Sequence, residues 1–197
     1  DVIECDVHAH RGRLEVRHLK TAGPLPFLWD RWELASASAP RLGLAELLQA
    51  HRQGALFMLD LKGRRAAAGR AVPELLHGEG HHREGLVCGR YWPSVEEVAR
   101  LPYVRPVLSA RNRGELARLR RRVATTATGS GGAPYGVSVH RSLLDAAMVG
   151  TLLEHVQVVM TWPVNDVDSL DRLLAIGVNG IISDEPTVLA ELLSRRR

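Results

Sequence analysis

The sequence predicts an α/β protein built from repeated units of one strand followed by one helix. Short apolar runs alternate with amphipathic helical patterns along the 197 residues. The runs are rich in Val, Ile and Leu and lack strict in/out alternation, which is typical of parallel strands covered by helices on both faces. The composition shows no shift that would mark a domain boundary, so residues 1–197 are interpreted as a single domain. Short, uniform units favour a (β/α)8 barrel over an open doubly wound sheet.

Seven apolar runs are predicted to be strands: Val2–Val7, Ala55–Leu61, Leu86–Gly89, Tyr103–Leu108, Tyr135–Val139, Val156–Thr161 and Gly180–Ser183. Seven amphipathic patterns are predicted to be helices: Leu44–His51, Ala66–Leu76, Val95–Leu101, Gly114–Val123, Leu143–Glu154, Val167–Ile176 and Thr187–Leu193. Asp166 is a suitable N-cap for the sixth helix, and Gly177 a suitable stop after it. Since a barrel needs eight strands, the first β/α unit is expected to precede Asp1.

Two segments near the N-terminus interrupt the alternation. Arg11 and Gly12 predict a turn into a short accessory strand, Leu14–Arg17. Thr21–Pro40, which contains Pro and Trp residues, is predicted to be irregular. Because this segment follows the first strand, it would lie over the mouth of a barrel, where loops form the active site.

The net charge of +4 gives little support for nucleic-acid binding. Of 26 basic residues, only Lys20 and Lys62 are lysines, which indicates a biased genome. The densest arginine cluster has no interleaved aromatic residues and is interpreted as a solvated helix face: Arg118, Arg120, Arg121 and Arg122. We therefore expect no nucleic-acid partner. No apolar run reaches the roughly 18 residues that a transmembrane helix needs.

The two cysteines, Cys5 and Cys88, each lie within an apolar run. Isolated cysteines of this kind are typical of free thiols rather than of a disulfide framework. A reducing, cytoplasmic location is the expectation, although a processed N-terminus would hide any targeting segment. The oligomeric state is left open.

Charged side chains lie near the ends of the first two predicted strands. Residues two apart on a strand share a face, so Glu4, Asp6 and His8 point to the same side. The second strand ends with Asp60, followed two residues later by Lys62. A structural salt bridge is one interpretation of these charges, since buried carboxylates must be paired or bind a cation.

A cation site is the second interpretation. Three converging carboxylates with few nitrogen ligands suit a hard divalent ion, Ca²⁺ or Mg²⁺. Lys62 would then lie where it can contact an anionic substrate. His18 closes the accessory strand, from which it could serve as a general acid or base.

Five stretches together resemble the glycerophosphodiester phosphodiesterases, a family of (β/α)8 barrels of the phospholipase C-like type. The stretches are Asp1-Val2-Ile3-Glu4-Cys5-Asp6-Val7-His8, Leu14-Glu15-Val16-Arg17-His18, Met58-Leu59-Asp60-Leu61-Lys62, Trp162-Pro163-Val164-Asn165 and Gly177-Val178-Asn179-Gly180-Ile181-Ile182-Ser183-Asp184-Glu185-Pro186. They are similar to the family's Glu-x-Asp-Val strand, its histidine strand, its acidic-x-Lys strand, its Trp-Thr-Val-Asn motif and its closing Gly-Val-Asp-Gly-Ile-Ile-Thr-Asp-x-Pro. They fall in the family's order and cover nearly the whole chain.

The resemblance implies metal-dependent hydrolysis of small glycerophosphodiesters to an alcohol and sn-glycerol 3-phosphate, a reaction of lipid and glycerol metabolism. It assigns the divalent cation to three acids: Glu4, Asp6 and Asp60. It makes His18 one of two catalytic histidines that exchange a proton between nucleophile and leaving group. It makes Lys62 a catalytic residue that stabilises the phosphate charge, and it places Trp162 in the pocket for the glycerol end.

Three departures from the family pattern bear on this assignment. The family's first strand carries His-Arg-Gly, which supplies the other catalytic histidine and a phosphate-binding arginine, and this strand is the one expected to precede Asp1. His10-Arg11-Gly12 has the same letters but is interpreted as a hairpin turn, so the chain alone could be inactive. Leu19 stands where an Asp commonly follows the histidine, and Asp60 replaces a more usual Glu.

Two alternative functions stay open at this point. An amidohydrolase-type metal-dependent hydrolase would use Asp6-Val7-His8-Ala9-His10 as its opening histidine motif and Asp184 as its last acid. Asp184 is preferred as a helix-capping residue before Pro186. The other alternative is a degenerate barrel that binds a phosphodiester without cleaving it.

Overall fold

The computed structural model describes residues 2–23, 25–30, 33–51, 56–63, 67–78, 84–126 and 132–195. The chain forms two compact units, Asp1–Val87 with Pro93–Val104 and Cys88–Trp92 with Arg105–Arg197. Strands and helices alternate through both units, as the sequence predicts. Ala55 and Ala66, the first residues of one predicted strand and one predicted helix, lie outside the described residues.

The first unit holds the N-terminal strands β1 (Val2–His10), β2 (Arg13–Val16), β3 (Lys20–Thr21), β4 (Phe27–Trp29), β5 (Leu34–Ser36), β6 (Leu56–Leu61) and most of β7 (Gly85–Gly89). Its helices are α1 (Leu44–Ala50), α2 (Ala67–Gly78) and nearly all of α3 (Trp92–Val98). Four of these strands are neighbours in one larger sheet, in the order β7-β6-β1-β2. Strand β1 runs parallel to β6 and antiparallel to β2.

A two-residue turn joins β1 to β2, which confirms the predicted accessory strand. His10 pairs with Arg13, and the intervening Arg11 and Gly12 have φ values of 47° and 78°. Positive φ at both central residues is the geometry of a type I′ turn, whose twist matches a tight hairpin. The letters His10-Arg11-Gly12 therefore belong to a hairpin.

The prediction that Thr21–Pro40 is irregular was wrong. Strands β3, β4 and β5 form a small antiparallel sheet in which Trp29 pairs with both Lys20 and Leu34. These strands are two or three residues long. Such lengths are too short for an alternating apolar pattern to show in the sequence. The segment that follows the β1–β2 hairpin therefore contains regular structure in the form of this small sheet.

The second unit contains parallel strands in the order β8 (Val104–Ala110), β9 (Gly136–His140), β10 (Val158–Trp162) and β11 (Gly180–Ile181). Its helices are α4 (Arg113–Thr126), α5 (Ala146–Leu153), α6 (Val167–Ala175) and α7 (Pro186–Ser194). Val107, Val137 and Val159, one from each of three adjacent strands, are fully buried. Consecutive buried residues along β8 and β9 agree with the predicted burial of both faces.

Side-chain caps set several helix ends in this unit. Asp166 accepts a hydrogen bond from the Ser169 backbone N–H at 2.7 Å, and Gly177 has a φ of +92° after α6. Both observations confirm the predicted cap and stop. Helix α5 starts later than predicted because Asp145 caps it, accepting from the Met148 N–H at 2.7 Å. A 3₁₀ turn, Arg141–Leu143, precedes that cap.

Both cysteines are buried thiols outside any disulfide, as predicted. None of the helices in the described ranges combines the length and hydrophobicity that crossing a bilayer demands.

Candidate active site

The pairing of β1 with β6 brings the predicted acidic residues together. In this parallel register Asp6 stands opposite Asp60, and Glu4 lies two residues before Asp6 on the same face. The pairing continues past the end of β6, where the Lys62 backbone N–H donates to the Val7 carbonyl oxygen at 2.9 Å. Two adjacent strands therefore deliver four charged side chains to one place.

The three carboxylates form a compact acidic cluster, defined here as Glu4, Asp6 and Asp60. Each contributes one oxygen atom, and these oxygens all lie within 4.8 Å of one another. Lys62 sits against the cluster: its Nζ is 2.9 Å from Asp6 Oδ1 and also contacts Asp60 Oδ2. The salt-bridge interpretation is thus realised for the two aspartates. Among the described residues, no Lys, Arg or His forms a salt bridge with Glu4.

The electrostatics of the cluster leave it short of positive charge. Loss of surrounding water, reinforced by the charges of Asp6 and Asp60, raises the pKa of Glu4 well above its ordinary value. Partial burial alone would lower the pKa of Lys62, but Asp60 and Asp6 outweigh that effect and raise it. The raised pKa of Glu4 indicates that one ammonium group does not offset the negative charge of three ionised acids, and an additional cation would favour the ionised form of Glu4.

The spacing of the oxygens fits a calcium ion. Ca²⁺–oxygen distances are about 2.3–2.6 Å, so two ligand oxygens of one ion lie at most about 5 Å apart. The observed limit of 4.8 Å satisfies this condition. Mg²⁺ binds oxygen at about 2.0–2.1 Å, which limits the separation to about 4.2 Å. Separations of up to 4.8 Å are compatible with either ion.

His18 reaches the acidic cluster from the end of β2. The Arg17 backbone N–H donates to the Asp6 carbonyl oxygen at 3.1 Å, which continues the β1–β2 pairing beyond Val16. The next residue places His18 Nδ1 3.0 Å from Asp6 Oδ2. The structure therefore brings together five of the six residues that the sequence singled out.

Asp30 is a site residue that the sequence analysis missed. Its Oδ2 lies 2.9 Å from His18 Nε2, on the opposite side of the ring from Asp6. Asp30 directly follows β4, within the segment predicted to be irregular. The only available signal was the predicted location of that segment over the mouth of the barrel, which did not single out this residue.

Trp162, the sixth predicted residue, lies at the end of β10 in the second unit. Its ring packs edge-to-face against His140, with 5.1 Å between the ring centroids. His140 stands opposite Trp162 in the β9–β10 pairing. Burial and the charges of Arg111 and Arg141 lower the pKa of His140. A half-buried aromatic ring at a strand end is suited to contact a small substrate.

The histidines of the amidohydrolase motif do not join the acidic cluster. Among the described residues, the only group of three or more potential ligands is the cluster itself, which contains neither His8 nor His10. Burial and the Arg17 guanidinium lower the pKa of His8 to about 4, so it is neutral at pH 7. Asp184 does not cap α7 as predicted; Glu185 holds the N-cap position, and the Asp184 N–H donates to Asn165 Oδ1 at 3.3 Å.

No protein-family model matches the sequence, and no curated protein matches it either. Solved structures do match the fold. A provisionally named glycerophosphoryl diester phosphodiesterase from Silicibacter pomeroyi superposes with a TM-score of 0.74 at 16% identity, over 98% of this chain and 83% of that one. A phosphodiesterase from Oleispira antarctica, solved with the product sn-glycerol-3-phosphate, gives a TM-score of 0.72 at 16% identity, over 98% and 85% of the two chains.

A glycerophosphodiester phosphodiesterase from Parabacteroides distasonis gives a TM-score of 0.67 at 17% identity, over 98% of this chain and 84% of that one. At these identities the likeness concerns the fold. It confirms the predicted fold class: the chain has the (β/α)8-barrel type of fold found in glycerophosphodiester phosphodiesterases.

Proposed function

We propose that the protein is a glycerophosphodiester phosphodiesterase, which hydrolyses a small glycerophosphodiester to an alcohol and sn-glycerol 3-phosphate. The observation that carries the proposal is the convergence of three carboxylates, one ammonium group and one imidazole where β6 ends. The acidic cluster, Lys62 and His18 supply the charges that phosphodiester hydrolysis requires. The fold shared with phosphodiesterases, one of them solved with sn-glycerol-3-phosphate, supports the same reaction.

The acidic cluster is the proposed site of a divalent cation, Ca²⁺ or Mg²⁺, the hard ions that carboxylate oxygens bind. When bound, the cation would neutralise negative charge that develops on the phosphoryl oxygens. Lys62 already contacts both aspartates, and its side chain is 33% exposed. From this position Nζ can also contact a phosphate oxygen and stabilise its charge in the transition state.

His18 is the proposed proton donor for the leaving group. Its side chain is 75% exposed, so a substrate can reach the ring. A proton passed from the imidazole to the departing alcohol oxygen prevents the release of a high-energy alkoxide. Trp162 is the proposed contact for the glycerol end of the substrate.

The assignment of these residues can be tested by measuring enzymatic activity. With glycerophosphocholine as substrate and Ca²⁺ or Mg²⁺ present, we expect the protein to release glycerol 3-phosphate, measured with a coupled enzymatic assay. Asp60→Asn removes one charge from the acidic cluster, and His18→Ala removes the proton donor. Each substitution is expected to lower kcat by about 10²-fold or more, the usual contribution of a positioned acid or a charge-stabilising group.

Asp168→Asn is the matched control, because Asp168 is an exposed acid in the first turn of α6, in the other unit. It should retain the activity of the unmodified protein. Full activity of His18→Ala would refute the role of His18. Binding of glycerophosphocholine without any release of glycerol 3-phosphate would instead support the degenerate, non-catalytic barrel.

A further inference from the structure

We propose that Asp30 is a positioning residue for His18. Its Oδ2 lies 2.9 Å from Nε2, and this contact holds Nδ1 towards the acidic cluster. This inference rests on the proposed function, since it assigns a role to a residue beside the proposed proton donor. It also makes the small β3-β4-β5 sheet a part of the active site.

The geometry of the His18 ring carries the inference. Nδ1 lies 3.0 Å from Asp6 Oδ2, and Nε2 lies 2.9 Å from Asp30 Oδ2. The His18 side chain is 75% exposed, so close packing does not fix its orientation. The side chains of Asp6 and Asp30 are only 14% and 21% exposed. Two well-placed carboxylates therefore hold a ring that would otherwise be free to rotate.

Asp30 is itself held by the small sheet. Its backbone N–H donates to the Glu33 carbonyl oxygen at 2.8 Å, immediately after β4. Lys20 stands opposite Trp29 in the β3–β4 pairing. Its Nζ lies 3.5 Å from Asp30 Oδ1, which leaves Oδ2 directed at His18. The same Nζ lies 5.5 Å from the centre of the Trp29 ring, within the range of a cation–π contact.

This arrangement gives the two ring nitrogens different tasks. Nε2 faces the Asp30 carboxylate, and Nδ1 faces the acidic cluster, where the substrate phosphate would bind. With Nε2 held at Asp30, Nδ1 is the nitrogen from which the proposed proton donor would act on the departing alcohol oxygen. A carboxylate that fixes the tautomer and orientation of a catalytic imidazole is a recurrent device in enzymes.

The test compares Asp30→Ala and Asp30→Asn with Glu33→Gln, a matched control that removes an exposed acid immediately before β5. Because Asp30 acts through His18, both Asp30 variants should lower kcat for glycerophosphocholine by about 10- to 100-fold, the usual effect of losing a group that orients a catalytic residue. KM should stay within about twofold. In a His18→Ala background, Asp30→Ala should cause no further loss, since the two residues act as one unit.

A second measurement does not depend on turnover. Carbon-13 relaxation of the His18 ring in the cation-free protein reports how firmly the ring is held. We expect an order parameter near that of rigid groups, about 0.85, in the unmodified protein and Glu33→Gln, and a value below about 0.6 in Asp30→Ala. An inactive protein whose ring is immobilised by Asp30 would refute the proposed function while leaving the positioning role intact. An equally rigid ring in Asp30→Ala, or additive losses of kcat in the double variant, would overturn the inference.

Discussion

Lys62 places one positive charge between two carboxylates, with its Nζ 2.9 Å from Asp6 and also in contact with Asp60. Lys62→Met keeps most of the side-chain length and removes that charge. The acids of the cluster then repel one another without compensation. In the presence of a chelator, we expect the free energy of unfolding to fall by about 1–3 kcal/mol, the cost of leaving a half-buried charged group without its partner. Urea denaturation followed by circular dichroism measures this loss.

Arg100→Met is the matched control for Lys62→Met. Arg100 forms a salt bridge with Glu97 at 2.9 Å, but its side chain is 76% exposed. Exposed pairs of this kind contribute about 0.2–1 kcal/mol. Equal losses for the two variants would show that Lys62 does not compensate the acidic cluster.

The sequence predicted Glu4, Asp6, Asp60 and Lys62 as one site because strand alternation is a local property. Residues two apart share a face, and neighbouring parallel strands present those faces together. Asp30 could not be found in this way. Asp30 and His18 are 12 residues apart in the chain. Their contact depends on the small sheet, whose strands are too short to show an alternating pattern in the sequence.

Helices α2 and α3 approach each other closely at Gly69. A Cβ at this position would lie 2.6 Å from Ser94 Cα and 2.9 Å from Ser94 O. Gly69→Ala therefore forces the two backbones apart. We expect it to lower the free energy of unfolding by about 1–3 kcal/mol, the usual cost of overpacking, despite the higher helix propensity of Ala. Thermal or urea denaturation would measure the change.

Gly150→Ala is the matched control, since a Cβ at Gly150 in helix α5 meets no atom within 4 Å. There the gain in helix propensity acts alone, and we expect a stabilisation of about 0.5–1 kcal/mol. A stabilising Gly69→Ala would contradict the close helix contact. The sequence predicted both helices from the periodicity of their apolar residues. A close contact between helix backbones does not change that periodicity, so it could not be predicted.

At the scale of the whole molecule, the alternation of apolar runs and helical patterns was sufficient to predict the fold class. The TM-score of 0.74 to a protein of 16% identity shows how little of the fold depends on particular side chains. Many combinations of buried apolar side chains on adjacent strands can fill the core of the same fold. The proposed reaction depends instead on a few charged residues, the acidic cluster with Lys62 and His18.

Cation binding at the acidic cluster should stabilise the folded protein, because the three carboxylates converge only when β1 and β6 are paired. A ligand at 100 times its dissociation constant raises the free energy of unfolding by about 2.7 kcal/mol. For a chain of this length, that amounts to an increase in Tm of roughly 5–10 °C. Calorimetry with Ca²⁺, Mg²⁺ or K⁺ at matched ionic strength should show an increase in Tm with a divalent cation that K⁺ does not produce. Asp60→Asn should reduce the increase, whereas Asp168→Asn should keep it. An equal increase in both variants would place the bound cation elsewhere on the protein.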